Sequence, residues 1–421
     1  MGLMCFVYTF NHFIRDNVFV LMLTISQLKN TYNAEQIALV LLTRLFFDTA
    51  TKADVDDLIA DSKINWTLLY KITRAHGVRP FIYYIIKQHN IKVPNVFEDR
   101  LQRQYDKSRR LNLQMGIATS KLIADLKAKS IMIIPYKGPV LAHNYYPDIA
   151  LRESTDLDFL VDAKDVAEIE KYFIEKKYTP KTTVTNPYLK YYKKHFKDIV
   201  YRTPSEHESF SVEMHWRLME KFSGNYPQYD FFIPNLEEYN MGGLKLYKLS
   251  PTYDMLAVVS NHFVKDMGIK FKYLVDVAAI INKEKHLINE ALVFETATKY
   301  GFKKRLNIGL ALTESLLGIS LDKVEETTDH LKYLNVPLAF PIQLPRLYIN
   351  EPGFIKRSLQ LQDSNTNKLK FISKSIKYMF LPTYEDINQL KHPTGNASLL
   401  AITRPFRIIY RSIKNKKHRK L

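Results

Sequence analysis

The chain has 421 residues, of which 46% are apolar and 25% charged, and its formal net charge is +18 at pH 7. This length allows two or three domains, and the composition excludes an intrinsically disordered chain. The single cysteine, Cys5, excludes an intramolecular disulfide and a cysteine-based metal site and predicts a reducing, cytoplasmic location. The positive charge indicates either a polyanionic partner, such as nucleic acid, nucleotide or acidic lipid, or lysine-rich solvated surfaces.

Residues 1–27 form a leader with two apolar patches, which Arg15 and Asp16 separate. Neither patch approaches the roughly 18 residues of a membrane-spanning helix. No small-residue cleavage site follows them, so the pattern predicts neither a signal peptide nor an anchor, and no transmembrane segment is predicted elsewhere. Met22 is an alternative start, in which case the leader would not belong to the protein.

Residues 28–130 carry apolar positions at helical spacing and predict a helical N-terminal region. Gly77 and Pro80 divide the stretch NWTLLYKITRAHGVRPFIYYIIKQHN into two helices. The segment 96–130 is periodic and predicts one long helix. Its arginines are interpreted as a solvated face, with a phosphate-facing stripe as the alternative; they are Arg100, Arg103, Arg109 and Arg110.

The pattern changes at residue 131. The run IMIIPY is typical of a buried strand, and VLAHNYY after it resumes a helical pattern. The runs DLDFLVD, FKDIVYR and SFSVEMHW predict further strands, and AKDVAEIEKYFIEKK predicts an amphipathic helix after the first of them. Residues 131–220 are therefore predicted to form a small α/β unit.

The pattern from about residue 250 is helical again, and residues 221–345 are assigned to a helical C-terminal region. Residues 346–421 form a weakly defined, basic C-terminal extension, with eight lysines or arginines after position 403. The spacing of its apolar residues, Phe406, Ile408, Ile409 and Ile413, permits a short amphipathic helix. Such a helix could lie on RNA or on an anionic membrane surface, and the alternative is a disordered, solvated end.

Two acids, Asp156 and Asp158, open the strand-like run DLDFLVD. Alternate side chains of a strand share a face, so these carboxylates point the same way, with Cα atoms about 7 Å apart. Neighbouring carboxylates repel and are costly to bury, and a divalent cation removes both problems. Mg²⁺ prefers one or two carboxylates together with waters and substrate phosphates. The alternative for a lone Asp-x-Asp is a solvated turn or cap.

A third acid lies in SFSVEMHW, where alternation puts Ser211, Glu213 and His215 on one face. If this strand lies beside the first, Glu213 reaches the same site. Three carboxylates can hold two metal ions about 3.5–4 Å apart, the arrangement used for in-line phosphoryl or nucleotidyl transfer. His215 is interpreted either as a contact to substrate or metal, or as a structural histidine.

The turn Lys137-Gly138-Pro139 connects the first strand of this unit to a helix. A helix N-terminus offers unpaired N–H groups and a positive dipole end, which together bind phosphate. Gly138 permits close approach of the backbone, and Pro139 suits the first helical position. Lys137 and Arg152 are candidate counter-charges for a triphosphate.

The stretch IMIIPYKGPVLAHNYYPDIALRESTDLDFLV resembles the signature of an uncharacterised bacterial nucleotidyltransferase family in the DNA polymerase beta-like superfamily. That signature reads approximately K-G-x-x-L-A-x-x-x-Y-P, followed by R-x-x-x-D-x-D-x-L-V. The later run VEMHWRL resembles the acid-hydrophobic-His-Trp segment of the same family. The resemblance spans roughly residues 38–320, and its flanking helical parts are less specific than its centre.

The resemblance implies an α+β fold, in which a minimal nucleotidyltransferase core is flanked by N- and C-terminal helical regions. It implies that Asp156, Asp158 and Glu213 are the catalytic, metal-binding residues, and that Gly138 is the glycine of the superfamily's Gly-Ser turn. Pro139 is a departure, because many superfamily members have a serine there that helps to hold the triphosphate. Lys137 would then compensate, or triphosphate binding would be altered.

The resemblance also places His262, Lys265 and Asp276 on family-like positions of the C-terminal helical region. His262 and Lys265 are expected to line a cleft between the core and the flanks, and Asp276 to cap or pair structurally. The substrate-binding residues are accordingly predicted to be Lys137, Gly138, Arg152, His215, His262 and Lys265.

The activity implied is transfer of a nucleoside monophosphate from a nucleoside triphosphate to a hydroxyl of an acceptor, with release of pyrophosphate. Two Mg²⁺ ions are expected, with Mn²⁺ as a substitute, and ATP is the expected donor. The acceptor remains open between a small molecule, a protein and an RNA. The alternative is a non-catalytic protein on the same fold that senses nucleotide or binds RNA or another partner.

Overall fold

The computed structural model describes residues 22–181, 186–204, 209–219, 226–241, 244–325, 327–342, 352–383, 386 and 397–418. The predicted leader lies outside these residues up to position 21. Among the residues described, no helix is both long enough and apolar enough to cross a membrane. The predicted cytoplasmic location stays a prediction.

Helices and a small mixed sheet form the fold, which confirms the predicted α+β class. The helices are α1 (Ile25–Thr31), α2 (Ala34–Phe46), α3 (Lys52–Asp61), α4 (Trp66–His76), α5 (Arg79–Gln88), α6 (Asn95–Lys127), α7 (Gly138–Tyr145), α8 (Val166–Glu175), α9 (Asn186–His195), α10 (Tyr229–Phe232), α11 (Pro251–Val259), α12 (Phe271–Glu284), α13 (Glu290–Tyr300), α14 (Lys303–Leu317), α15 (Pro352–Gln360), α16 (Asn365–Met379) and α17 (Ala397–His418). The strands are β1 (Ile133–Pro135), β2 (Asp156–Val161), β3 (Thr179–Pro180), β4 (Asp198–Arg202), β5 (Ser211–His215), β6 (Leu236–Met241) and β7 (Leu244–Leu249).

The chain divides into two compact units. The first contains the described residues between 22 and 106, between 262 and 292, and between 305 and 342. The second contains those between 107 and 261, between 293 and 304, and between 352 and 418. The second unit holds the whole sheet and therefore every strand acid singled out in the sequence.

Local sequence signals account for the helices at the start of the first unit. Gly77 ends α4 in a left-handed conformation with φ of +69°, and Pro80 lies in the first turn of α5. The predicted division of this stretch into two helices is therefore confirmed. Side-chain N-caps precede α1 to α4 and satisfy N–H groups that the helix leaves unpaired; they are Thr24, Asn33, Thr51 and Asn65.

His76 links two segments of the first unit that are distant in sequence. It is the last residue of α4 and is fully buried. The backbone N–H of Phe271, at the start of α12, donates to its Nδ1 atom at 3.1 Å. Burial lowers the pKa of His76 to about 4, so the ring is neutral at neutral pH.

The sheet of the second unit has the strand order β1-β2-β5-β4-β3. Strands β2 and β5 run parallel, and β1–β2, β5–β4 and β4–β3 are antiparallel. In the parallel pair Asp156 lies opposite Ser211 and Asp158 lies opposite Glu213. The sequence predicted β1, β2, β4 and β5, and the adjacency of Glu213 to Asp158 is confirmed.

One face of this sheet is apolar and packs on helices α6 and α8. Leu157, Phe159, Val212 and Met214 belong to the same buried core as residues of these helices. Because strand side chains alternate, Asp156, Asp158, Glu213 and His215 lie on the opposite face. Burial of the apolar face fixes the register, since a shift by one residue would put the acids into the core.

The long helix α6 holds the segment that leads into β2. The hydroxyl of Ser108 donates to the carbonyl of Ala150 at 2.8 Å, and the Asn112 amide donates to the carbonyl of Arg152 at 2.9 Å. The same amide also donates to Ile149. The prediction of one long helix here is confirmed, and its polar residues anchor the entry to the strand that carries the two aspartates.

The hairpin β6–β7 differs from the sequence interpretation, which assigned residues 221–345 to helix. Its strands pair antiparallel from Leu236 opposite Leu249 to Met241 opposite Leu244. The two glycines at positions 242 and 243, between runs of strand-forming residues, are the sequence signal of such a hairpin.

The turn between β1 and α7 has two residues with positive φ. Lys137 has φ of +61° and ψ of −155°, a region that residues other than glycine occupy at a cost of about 1–3 kcal/mol. Gly138 follows with φ of +51°, and a Cβ atom there would lie 3.1 Å from the backbone oxygen of Asp156. A glycine is therefore needed at this position, because the turn lies directly against the start of β2.

Replacing Gly138 with alanine should destabilise the second unit. The left-handed conformation alone costs a non-glycine residue about 1–2 kcal/mol, and the close Asp156 oxygen should add about 1 kcal/mol more. Gly301→Ala is the matched control, because Gly301 has φ of +76° but meets only the flexible side chain of Asn367. Urea unfolding of both variants measures the difference, and equal losses would contradict the close approach at Gly138.

Acidification should destabilise the protein through His76. The pKa of His76 is lower in the folded state than in the unfolded state, so the unfolded state is protonated first as the pH falls. The contribution of neutral His76 to folding stability is therefore complete above about pH 6.5 and is lost as the pH falls towards 4. The loss should be about 2–3 kcal/mol. His76→Asn, which retains an acceptor but does not titrate, should have a flatter stability profile between these pH values in urea unfolding. The same slope as wild type would refute this assignment.

Candidate functional site

Acidic and basic side chains meet on the polar face of the sheet, around Asp158 and Glu213. One potential ligand atom from each of Asp158, Glu213 and His215 lies within 4.8 Å of the others. His215 Nε2 lies 3.0 Å from Asp158 Oδ1 and 3.3 Å from Glu213 Oε2. The parallel pairing of β2 with β5 produces this cluster, because it puts Asp158 and Glu213 side by side.

Asp156 lies on the same face, two residues before Asp158, and is half-buried. Its backbone oxygen is the atom that Gly138 approaches. The three acids predicted from the sequence therefore lie on one face of two adjacent strands. The glycine turn lies against the start of the first strand.

Lys137 is a second basic partner of Asp158. Its Nζ donates to Asp158 Oδ1 at 2.9 Å, and both side chains are nearly buried. Burial by itself would raise the pKa of Asp158, but the charge of Lys137 and the hydrogen bond from His215 outweigh it and hold the pKa below its usual value. Asp158 is therefore a carboxylate at any physiological pH.

Glu213 is also kept ionised. Burial and the neighbouring charge of Asp158 raise its pKa, whereas the hydrogen bond and charge of His215 lower it, and the net effect is a lowered pKa. A carboxylate that is ionised at neutral pH can bind a cation or accept a proton.

A second pair of charged residues, which the sequence analysis did not identify, lies behind His215. Lys197 and Asp198 form an ion pair at the start of β4, and Asp198 pairs in register with His215. Asp198 Oδ2 lies 3.5 Å from His215 Nδ1, and Lys197 Nζ lies 3.3 Å from the same nitrogen. The imidazole is thus held between Asp198 on one side and Asp158 and Glu213 on the other.

Tyr136, which directly follows β1, is a further residue of the site that the sequence analysis did not identify. Its side chain is buried, and its hydroxyl has no hydrogen-bond partner within the part of the chain that the structure describes. Burial, followed by the charges of nearby acids, raises its pKa well above the usual value; these acids are Asp158, Glu213, Asp198 and Asp156. The hydroxyl is therefore a protonated donor among carboxylates. An unsatisfied buried donor of this kind is costly unless a ligand or water meets it.

Arg152 is buried next to the glycine turn. Its guanidinium donates to the carbonyl of Gly138 and to the hydroxyl of Ser154, each at 3.3 Å. It thereby fixes the turn relative to the segment that enters β2. Its predicted contact with substrate phosphate stays a prediction.

His262 and Lys265 lie in the first unit, on a π-helical turn from Ser260 to Lys265. His262 is buried, with its Nε2 2.8 Å from Asp276 Oδ2, and its ring stacks on Tyr273 at 4.2 Å. The structural pairing expected for Asp276 is therefore present. Lys265 is half-buried. The predicted substrate-binding roles of His262 and Lys265 stay predictions.

The donor set fits a hard divalent cation. Carboxylate oxygens are the ligands that Mg²⁺ and Mn²⁺ prefer, and Asp156, Asp158 and Glu213 supply them from one face. The imidazole of His215 is less suited to Mg²⁺ but acceptable to Mn²⁺ or a softer metal. The unpaired hydroxyl of Tyr136, buried among these acids, is a suitable donor to a phosphate oxygen or a metal-bound water.

A solved structure and a protein family are similar to this chain. One solved structure, an antigenic nucleotidyltransferase-like protein from Paracoccidioides brasiliensis, aligns with 14% identity over 50% of this chain and 96% of its own. Its TM-score is 0.29. No match was found among curated proteins.

Residues 62–318 match a protein family described as uncharacterised nucleotidyltransferase, and this match covers the glycine turn and all three acids. The chain therefore belongs to the family of uncharacterised nucleotidyltransferases.

Proposed function

We propose that the protein transfers a nucleoside monophosphate from a nucleoside triphosphate, with ATP as the expected donor, to a hydroxyl of an acceptor. The observation that carries this proposal is the register of β2 and β5, which puts Glu213 beside Asp158 on the face that also bears Asp156. Family membership supports nucleotidyl transfer in general. The hydroxyl acceptor, the dependence on a divalent metal and the role of each residue are further parts of what we propose.

Asp156, Asp158 and Glu213 would hold the divalent cations, Mg²⁺ or Mn²⁺, that such a transfer uses. When bound, the cations would neutralise charge on the transferring phosphoryl group and lower the pKa of the acceptor hydroxyl. The low pKa values of Asp158 and Glu213 support this role, because no proton has to leave either group before a cation binds.

Lys137, Gly138 and the first turn of α7 would hold the triphosphate. The backbone of Gly138 is able to approach a phosphate because the residue has no Cβ. Pro139 supplies neither a hydroxyl nor an N–H at the next position, so the ammonium of Lys137 becomes more important for phosphate binding. Its contact with Asp158 would yield to a phosphate oxygen once the carboxylate is engaged by a cation.

Glu213 would accept the proton of the acceptor hydroxyl as that oxygen attacks the α-phosphorus. The bond from the α-phosphorus to its bridging oxygen breaks, and pyrophosphate leaves with the electron pair of that bond. Asp198 would position His215, which in turn fixes the carboxylates of Asp158 and Glu213. His215 therefore acts in this proposal through the acids it contacts.

A second function is favoured by one specific observation. Asp158 Oδ1 accepts a hydrogen bond from Lys137 and lies within hydrogen-bonding distance of His215. The ammonium group of Lys137 balances the carboxylate charge without a metal. This arrangement suits a protein that binds a nucleotide and senses it without catalysis. The two functions differ in whether a divalent cation is required for nucleotide binding.

The carboxylate variants test the proposed transfer directly. We expect that wild type, given α-³²P-labelled nucleoside triphosphates, Mg²⁺ and cell extract, labels an acceptor fraction. Asp158→Asn and Glu213→Gln should each lower that labelling at least about 10³-fold, because each removes a metal-binding or proton-accepting carboxylate. Asp162→Asn is the matched control, since Asp162 follows the same strand but pairs with the exposed Lys164, and it should retain full activity.

Thermal-shift titration with each nucleoside triphosphate, with and without Mg²⁺, provides the second readout of the same variants. Stabilisation that requires Mg²⁺ and is lost in Asp158→Asn supports the transferase. Absence of label transfer for every nucleotide, with Mg²⁺ or Mn²⁺, would contradict it. Metal-independent stabilisation combined with absent transfer would favour the sensing protein.

The positioning role of Asp198 predicts an intermediate effect. Asp198→Asn should lower kcat by about 10–100-fold while KM for the nucleotide changes little, because the imidazole loses its anchor but the phosphate-binding turn is intact. Asp198→Glu should recover part of the lost rate. Arg202→Gln, a change at the exposed end of the same strand, is the control. A normal kcat for Asp198→Asn would contradict the positioning role of Asp198.

A further inference from the structure

Two helices of the second unit, α16 and α17, each present a continuous apolar stripe to solvent. The stripe of α16, which continues onto its C-cap, consists of Leu369, Ile372, Ile376 and Phe380. The stripe of α17 consists of Ile402, Phe406, Ile409 and Tyr410. These eight side chains are between 41% and 71% exposed. Their spacings of three, four and seven residues put each set on one side of its helix.

The opposite sides of both helices are anchored in the protein. Phe371 of α16 is buried, and Leu400 of α17 belongs to the core under the sheet. The guanidinium of Arg404 lies over the ring of Tyr378 at 5.1 Å, so the two helices contact each other. Arg404 and Arg407 also pair with the buried Asp386, at 3.4 and 3.5 Å. The stripes are therefore the outward faces of docked helices.

The charge around these stripes has a single sign. Residues 365–380 and 397–418 contain no aspartate or glutamate. Exposed Lys370 and Lys377 follow Leu369 and Ile376 by one position each, and Lys368 lies on the other side of the stripe. The α16 stripe is thus bordered by lysines on both sides, which is typical of helices that lie in a membrane interface.

We propose that α16 and α17 bind the surface of an anionic membrane, with both stripes among the acyl chains and the lysines that border the α16 stripe at the acidic headgroups. Transfer of isoleucine, leucine and phenylalanine side chains from water into lipid is favourable. RNA presents mainly charged phosphates and polar sugars, which do not provide an apolar environment for these side chains. A second copy of the chain would bring positive charges together, which costs free energy. The helices lie on the membrane surface, since none of the described helices is able to span it.

This surface predicts reversible membrane binding that depends on both apolar contact and charge. Each buried aliphatic side chain and each basic residue near anionic lipid adds to the affinity, and salt weakens the second contribution. The inference is independent of the proposed transfer reaction, because none of the stripe residues belongs to the acid cluster.

Vesicle co-sedimentation of the full chain tests the proposal. Vesicles of equal parts phosphatidylcholine and phosphatidylglycerol should bind the protein at least about tenfold more strongly than phosphatidylcholine alone. Ile372→Glu/Ile376→Glu and Phe406→Glu/Ile409→Glu should each weaken binding to the mixed vesicles by about tenfold or more. Ile174→Glu is the control, because Ile174 is an exposed apolar residue of α8, outside both stripes, and it should bind as wild type.

Lys370→Gln/Lys377→Gln provides a milder variant that leaves the helix packing unchanged, and it should weaken binding to the mixed vesicles while binding to phosphatidylcholine stays weak. Absent binding to mixed vesicles, or equal binding of wild type and stripe variants, would overturn the proposal. Two further outcomes would also overturn it. One is that the wild-type protein binds RNA but not vesicles, and that the stripe variants lose this RNA binding. The other is that the wild-type protein and the Ile174→Glu control are dimers in analytical ultracentrifugation, whereas the stripe variants are monomers.

Discussion

The parallel pairing of β2 with β5 is the constraint on which the candidate site depends. This single register puts Asp158 directly opposite Glu213 and leaves Asp156 on the same face. The apolar residues between these acids are buried against α6 and α8, and their burial is what makes the register unique. A chemically demanding arrangement of acids is thus stabilised by an ordinary hydrophobic core on the other side of the sheet.

Buried carboxylates are expensive, and the site offsets that cost with lysines and with hydrogen bonds of its own. Lys137 and His215 contact Asp158, His215 also contacts Glu213, and Lys197 pairs with Asp198. Removing one partner from such a network leaves a buried charge uncompensated, which is more harmful than losing a surface pair. Lys137 reaches Asp158 from a backbone conformation that is unusual for a residue with a side chain. Strained conformations of this kind cluster at functional sites, where the surrounding structure maintains them.

The sequence predicted those parts of the site that follow from local patterns. Alternation in DLDFLVD and SFSVEMHW was enough to assign Asp156, Asp158 and Glu213 to polar faces, and the Lys-Gly-Pro turn was visible as a strand-to-helix transition. It could not identify Asp198 as the partner of His215, because that contact depends on the antiparallel register between β4 and β5. Burial of the Tyr136 hydroxyl among carboxylates is likewise a tertiary property. Helical periodicity placed His262 on a helix but carried no information about its buried contact with Asp276.

The central claim is that the carboxylates on this face of the sheet bind a divalent cation. It is tested most directly by crystals grown with Mn²⁺ and a non-hydrolysable nucleoside triphosphate, measured at the manganese absorption edge. We expect an anomalous peak about 2.0–2.3 Å from carboxylate oxygens of Asp158 and Glu213, with Lys137 moved towards a phosphate. Nucleotide density without any such peak, and with Lys137 and His215 still on Asp158, would contradict the account.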